Sequence, residues 1–230
     1  MAVILNIETS THVCSAALTY DGHVVKQFQD YQGHNHASLL SGYIKECLDE
    51  AKHKSLTLDA VAVSIGPGSY TGLRIGLSEA KGLAYALDVP LIGINTLEIL
   101  TVDVMFSDFF DENVMFAPMI DARRMEVYTG VYDYSLTPVL KPTPLILDEH
   151  SYEEYLAKGP VIFFGNGSDK ARELLTHPNA NFITEMHPLA ANMTALSEKA
   201  FRDKKFMDIA YSVPEYLKEF QATTPKSKIS

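Results

Sequence analysis

The stretch Gly66-Pro67-Gly68-Ser69-Tyr70-Thr71-Gly72 constrains what this chain can fold into more than any other. The apolar run Val61 to Ile65 stops at Gly66, and the segment from Leu73 to Leu87 is rich enough in Leu and Ala to form a long helix. Strand, glycine turn and helix in this order make half of a parallel crossover, because parallel strands need a helical connection. The turn matches no phosphate fingerprint. A P-loop ends in Gly-Lys-Ser/Thr where this chain has Gly72-Leu73-Arg74, a dinucleotide loop needs a glycine where Thr71 stands, and a hydrolase elbow needs one where Pro67 sits. A structural turn and an anion cradle at a helix N-terminus remain as its two readings.

Upstream, Val3 to Ile7 and Val13 to Leu18 read as short strands around the polar Thr9 to His12, and Asp21-Gly22 is a hairpin signal ahead of Val24 to Phe28. His36 to Ala51 carries Leu40, Tyr43, Ile44, Cys47, Leu48 and Ala51 at helical spacing, with Lys45, Glu46, Asp49 and Glu50 opposite. Downstream, Pro90 to Ile94 is a strand, and Leu97 to Val104 is a helix capped by Asn95 or Thr96 with Glu98 in its first turn. The order βββαβα followed by βα is that of a ribonuclease H-like unit, an α/β fold with a mixed sheet and helices for both faces.

Beyond the acidic Phe106 to Asn113 the pattern restarts: Val114 to Ile120 ends in Asp121 as Val3 to Ile7 ends in Glu8, and a polar turn leads into Val127 to Tyr132. The expected organisation is a lobe at 1–105, a second lobe at 106–222 and a flexible tail at 223–230. In the second half Pro138, Pro142 and Pro144 interrupt the pattern. After them come a Ser151-capped helix, a strand Val161 to Phe164, and helices near Lys170 to Leu175 and Asn192 to Arg202.

The formal charge of -10 removes any global attraction for phosphate backbones, so contact with nucleic acid has to come from a local patch or a partner. Cys14 and Cys47 share no Cys-x-x-Cys spacing and read as buried small hydrophobes. No basic region precedes the N-terminal apolar run, and no apolar stretch reaches the ~20 residues of a membrane span. A reducing cytoplasm is the expected location.

Gly72, Gly76, Ala80 and Ala84 recur every four residues and line one smooth helix face. Gly76 and Gly82 each cost about 1 kcal/mol relative to Ala inside a helix, so a packing reason is expected. It is either close contact with a neighbouring element of the same fold or an intersubunit helix bundle. Glu8 and Asp121 are either a carboxylate pair across a cleft or bonded to turn amides. His34 and His36 read as a surface loop without further ligands, and no metal site is expected. Gly165-Asn166-Gly167-Ser168 suits either close approach to a nucleotide or a helix entry capped by Ser168.

Together, "ILNIETSTHVCSAAL" at Ile4 to Leu18, "GPGSYTGLRIGLSEAKGLAYAL" at Gly66 to Leu87 and "IDARRMEVYTGVY" at Ile120 to Tyr132 closely resemble the bacterial TsaB (YeaZ) family. The resemblance implies two ribonuclease H-like lobes of the actin-like ATPase superfamily and a role in making N6-threonylcarbamoyladenosine beside the tRNA anticodon. It implies a non-catalytic subunit that pairs with a TsaD-like catalytic homologue and, with it, a TsaE-like ATPase. Isolated copies would self-associate as a homodimer and tRNA would be met mainly through the complex. The first two helices would form the shared interface, mapped here to Leu39, Leu40, Tyr43, Gly72, Leu73, Gly76, Leu77 and Ala80. The catalytic homologue's metal-binding His pair is missing, since His36 is followed by Leu40. Glu8, Thr9, Asp121, Gly165 and Gly167 are then a candidate remnant of a nucleotide site, with no cofactor held tightly and ATP placed at a subunit boundary. The rival reading is an ATP-dependent enzyme of the same superfamily, of kinase or carbamoyl-transfer type.

Overall fold

The computed structural model describes residues 2–33 and 35–218, so His34 and the expected tail lie outside the described residues. Three strands, β1 (Val3–Glu8), β2 (Cys14–Tyr20) and β3 (His23–Asp30), form an antiparallel meander. Asp21 and Gly22 turn the second hairpin at φ 50 and 76, the left-handed pair that suits strand twist. Helix α1 (His36–His53) leads to β4 (Ala60–Gly66), which lies parallel to β1, and α2 (Tyr70–Leu87) leads to β5 (Leu91–Asn95), parallel to β4. The sheet order is β3-β2-β1-β4-β5.

The second half repeats this order. Strands β6 (Met115–Asp121), β7 (Glu126–Tyr132), β8 (Pro138–Ile146), β9 (Val161–Phe164) and β10 (Ala180–Ile183) pair as β8-β7-β6-β9-β10, again with three antiparallel strands and two parallel ones. Two ribonuclease H-like lobes are thus built from one pattern used twice. The prolines expected to break this half lie inside β8, which pairs only with β7, and an edge strand tolerates residues without an N–H. Strand β10, only four residues long, is one that the sequence pattern does not announce.

Ser151 does not cap its helix, and Ser168 holds the N-cap position without a capping hydrogen bond. Ser151 Oγ accepts from the Asp148 amide at 3.0 Å and closes a turn, while Tyr152 takes the N-cap position of the short helix α4 (Glu153–Leu156). Ser168 donates its hydroxyl to Gly165 O at 2.8 Å ahead of the one-turn helix α5 (Asp169–Arg172).

Helix α3 (Thr96–Ser107) joins the lobes, and Asn95 caps it by accepting from Leu97 N at 2.9 Å. Its apolar residues are spread around the helix axis, as suits a helix between two layers. Ile99 faces the first sheet with Ile92 and Ile94, while Leu97, Leu100 and Val104 pack on Phe116, Ile120, Ile162 and Phe164 of the second. After Leu189 the chain returns to the first lobe. Ala190 N donates to Ser15 Oγ at 2.9 Å, and Met193, Leu196, Ala200 and Phe201, in a 3₁₀ turn (Ala190–Met193) and helix α6 (Thr194–Arg202), cover Ala17, Ala60 and Ala62. The expected division at 106–222 therefore does not follow the packing.

Because Leu100 sits fully buried between the lobes, Leu100→Ala should lower stability by ~2–5 kcal/mol. Chemical denaturation followed by far-ultraviolet circular dichroism checks the loss, and a change below ~1 kcal/mol would contradict the shared-core role of α3.

Candidate functional site

The glycine turn is closed against the loop between β1 and β2. A Cβ on Gly68 would collide with Ser10 O, one on Gly72 with Thr9 O, and one on Gly76 with Thr9 Oγ1. The same backbones are hydrogen-bonded: Ser69 N donates to Ser10 O at 2.6 Å and Thr9 Oγ1 donates to Gly72 O at 2.8 Å. Helix α2 begins at Tyr70, three residues earlier than its apolar pattern suggests, because Ser69 Oγ caps it by accepting from Gly72 N at 3.2 Å. The first half of the small-residue stripe is thus explained inside this chain.

Glu8, Thr9, Ser10 and Thr11 are all buried. Glu8 accepts from the Ser10 amide at 2.8 Å, while its second oxygen is buried without a partner. Burial pushes its carboxyl up to about 7, against the opposing effect of hydrogen bonds from Ser10, Ser64 and Thr9. Burial likewise raises the Cys14 thiol to about 12 and the Cys47 thiol to about 11, as suits inert core cysteines. Asp121, at the matching strand end of the second lobe, is half-exposed and engages other groups: Lys170, the Arg123 amide at 2.9 Å, and Asn166, which accepts from the Asp121 amide at 3.0 Å. Glu8 and Asp121 share no partner. Gly165 and Gly167 serve packing, since a Cβ on the first would strike Met119 O and one on the second would come 2.9 Å from Val127 Cγ1. His36 is buried with Nε2 3.2 Å from Val13 O, and no group of three or more His, Cys, Asp or Glu suited to a metal occurs among the described residues.

The eight residues mapped to the interface divide by burial. Leu40, Gly72, Leu73, Gly76, Leu77 and Ala80 are covered by this chain's own sheet and loop, so they present no surface, and only Leu39 and Tyr43 are partly exposed. The outer faces of the same two helices instead form an open groove of about 880 Å³ lined by Ala37, Tyr70, Ile75, Ser78, Gly82 and Leu83 among others. Gly82 and Gly42 are exposed in helix interiors, and a Cβ on either would meet nothing within 4 Å among the described residues.

One element was not legible beforehand. Residues 206–218 form an irregular strap beside this groove. Met207 N donates to Leu91 O at 2.8 Å, Lys81 Nζ holds Ala210 O and Ser212 O, and Glu215 N donates to Ile65 O at 2.7 Å. Gly66 lacks a Cβ because one would lie 2.6 Å from Glu215 O. Tyr216 stacks on Tyr70 with centroids 4.8 Å apart and accepts from Arg74 Nε at 3.0 Å. Such backbone-mediated contacts leave no periodic signal; the only hint was the aromatic content of a segment without hydrophobic spacing.

Two ribonuclease H-like lobes, with the first-lobe loop filled by the chain's own glycine turn, define a member of the actin-like ATPase fold class. A family model described as TsaD, tRNA N6-adenosine threonylcarbamoyltransferase, matches residues 26–227. The tRNA threonylcarbamoyladenosine biosynthesis protein TsaB of Bacillus subtilis is 30% identical over 95% of both chains, and that of Escherichia coli is 35% identical over 94% of both. A Pseudomonas aeruginosa crystal structure described as similar to the peptidase YeaZ superposes with a TM-score of 0.82 at 27% identity, covering 95% of this chain and 100% of that one. The chain belongs to the TsaB (YeaZ) family.

Since the Glu8 carboxyl is raised from 4.5 to about 7 in the folded chain, its stabilising effect is full below pH 4.5 and is lost as pH rises to 7. The loss is on the order of 3 kcal/mol. Glu8→Gln should therefore flatten the fall in thermal midpoint between pH 5 and pH 8 and raise the midpoint at pH 8. An unaltered pH profile would show that this carboxyl is not buried as described.

Proposed function

We propose that this chain is the non-catalytic partner subunit in forming N6-threonylcarbamoyladenosine on tRNA, docking a TsaD-like catalytic homologue through the outer faces of α1 and α2. Family membership supports the pathway, and the observation that carries the interface is Gly82. A glycine in an exposed helix interior costs about 1 kcal/mol relative to Ala and here has no close contact among the described residues to require it. Gly76 has its reason inside the fold, in Thr9; the reason for Gly82 lies outside it, in a second backbone approaching the groove. Ile75 and Leu83 supply apolar contacts on the same helix, with Arg74 and Glu79 as polar flanks.

In this reading the chemistry belongs to the homologue, a TsaE-like ATPase joins the pair, and isolated copies cover the groove with each other. ATP is met at a subunit boundary, because the loop Thr9 to Thr11 is already occupied by the glycine turn.

Gly82→Leu should abolish co-elution with the TsaD-like homologue in size-exclusion chromatography while the thermal midpoint stays equal or rises, since Leu is the better helix former. Unchanged co-elution would move the interface away from this groove. Gly76→Leu, by contrast, should unfold the chain, because Thr9 stands in its place. Titration calorimetry of the isolated chain should show no saturable Mg-ATP binding, and a stoichiometric isotherm would favour the ATP-dependent enzyme instead.

A further inference from the structure

The hairpin joining β6 to β7 is built in an unusual way. Ala122 N donates to Glu126 O at 3.0 Å and Glu126 N to Arg123 O at 3.1 Å, so Arg123, Arg124 and Met125 form the tip. Arg123 and Arg124 both adopt left-handed backbone, at φ 70 and 51. Two consecutive long side chains in that region are strained, and Gly or Asn would relieve it. The turn is held by Lys170, whose largely buried ammonium donates to Asp121 Oδ1, to Glu126 O and, at 2.8 Å, to Arg124 O. All three of its donors are engaged. Strain maintained by such over-determination clusters at functional positions.

The charges around the tip are unbalanced. Asp121 is engaged by Lys170 and the Arg123 amide, and Glu126 by Lys218, with both oxygens 2.6 Å from the ammonium. That leaves two carboxylates against four cations in a chain of net charge -10. Among the described residues neither guanidinium is hydrogen-bonded or ion-paired; Arg123 lies only close enough to Tyr128 for its charge to be felt there. Asp121, Arg123, Arg124 and Met125 are all exposed.

We propose that the Arg123–Arg124 turn is a phosphate-binding element that engages the sugar-phosphate backbone of the tRNA substrate. A nucleotide needs a concave site to bury its base, whereas this tip projects its charges outward, as suits phosphates on a strand passing over it. Two guanidiniums with no ion-pair partner among the described residues suit charge-assisted, bidentate contacts. The identity of the polyanion rests on the tRNA function above; the built, uncompensated cation pair does not.

The test is fluorescence anisotropy of a labelled tRNA transcript titrated with the full chain, alone and reconstituted with the TsaD-like homologue, between about 50 and 200 mM salt. Arg123→Gly/Arg124→Gly suits the left-handed backbone, and a thermal midpoint near that of wild type confirms folding on the same samples. In the reconstituted complex the double variant should lose about tenfold in affinity at the lower salt, with a log-log salt slope shallower by about 1 to 2, and each single variant should show part of the loss. Unchanged affinity and slope overturn the inference. So does an effect confined to Mg-ATP binding, which would reassign the turn to a nucleotide, or to co-elution with the homologue, which would reassign it to a protein contact. Wild-type co-elution fails only if the partner reading itself is wrong, so the two failures are distinguishable.

Discussion

At Gly68, Gly72 and Gly76 the backbone of α2 and its entry turn lies where a side chain would be, with Ser10 and Thr9 on the other side. That approach sets the position of α2 on the first sheet, and Ser69 N to Ser10 O and Thr9 Oγ1 to Gly72 O lock it. Everything facing outward follows. With the small residues of α2 turned inward, Arg74, Ile75, Ser78 and Gly82 become the surface beside α1. The same contact covers the loop that follows Glu8, so the carboxyl is left without water and held partly protonated near neutrality. One close packing of two backbones thus both closes the loop and sets which residues of α2 face outward.

The fold was legible because both lobes announce themselves by the same sequence device, an apolar strand ending in a carboxylate and a polar turn, and because hydrophobic spacing shows α1 directly. The faces of α2 were harder. A stripe of Gly72, Gly76, Ala80 and Ala84 says only that something approaches closely, not what, and here most of the answer is the chain's own Thr9 loop. Gly82 is set off the stripe, and only the open space around its missing Cβ separates it from Gly76. Glycines that face the fold and glycines that face outward use the same letter.

The strap at 206–218 illustrates another limit. Several of its contacts are made by backbone oxygens and amides at Ala210, Ser212 and Glu215, and side-chain periodicity carries no trace of those. Glu215 nonetheless reaches the most constrained part of the chain, lying against Gly66 and accepting from Asn95 Nδ2 at 3.3 Å, while the other end of that Asn95 side chain caps α3. A residue far downstream in sequence therefore touches both the glycine turn and the start of the helix between the lobes.

Three residues later Lys218 pairs with Glu126 at the foot of the Arg123–Arg124 hairpin. The strap connects the stacked Tyr70, Arg74 and Tyr216 beside the helical groove with the charged tip of the second lobe. If the groove holds a protein and the tip an RNA phosphate, the two surfaces are joined by a single extended segment and by α3, not by the sheets themselves. The acidic character of the remaining surface then has a simple consequence. A net charge of -10 gives no general attraction for phosphate, whereas at the tip Lys170 and Lys218 pair with Asp121 and Glu126 and the local balance is positive, so in the proposed reading RNA is met there. In the proposed reading, weak binding by the isolated chain and a contribution within an assembly both follow from this charge arrangement.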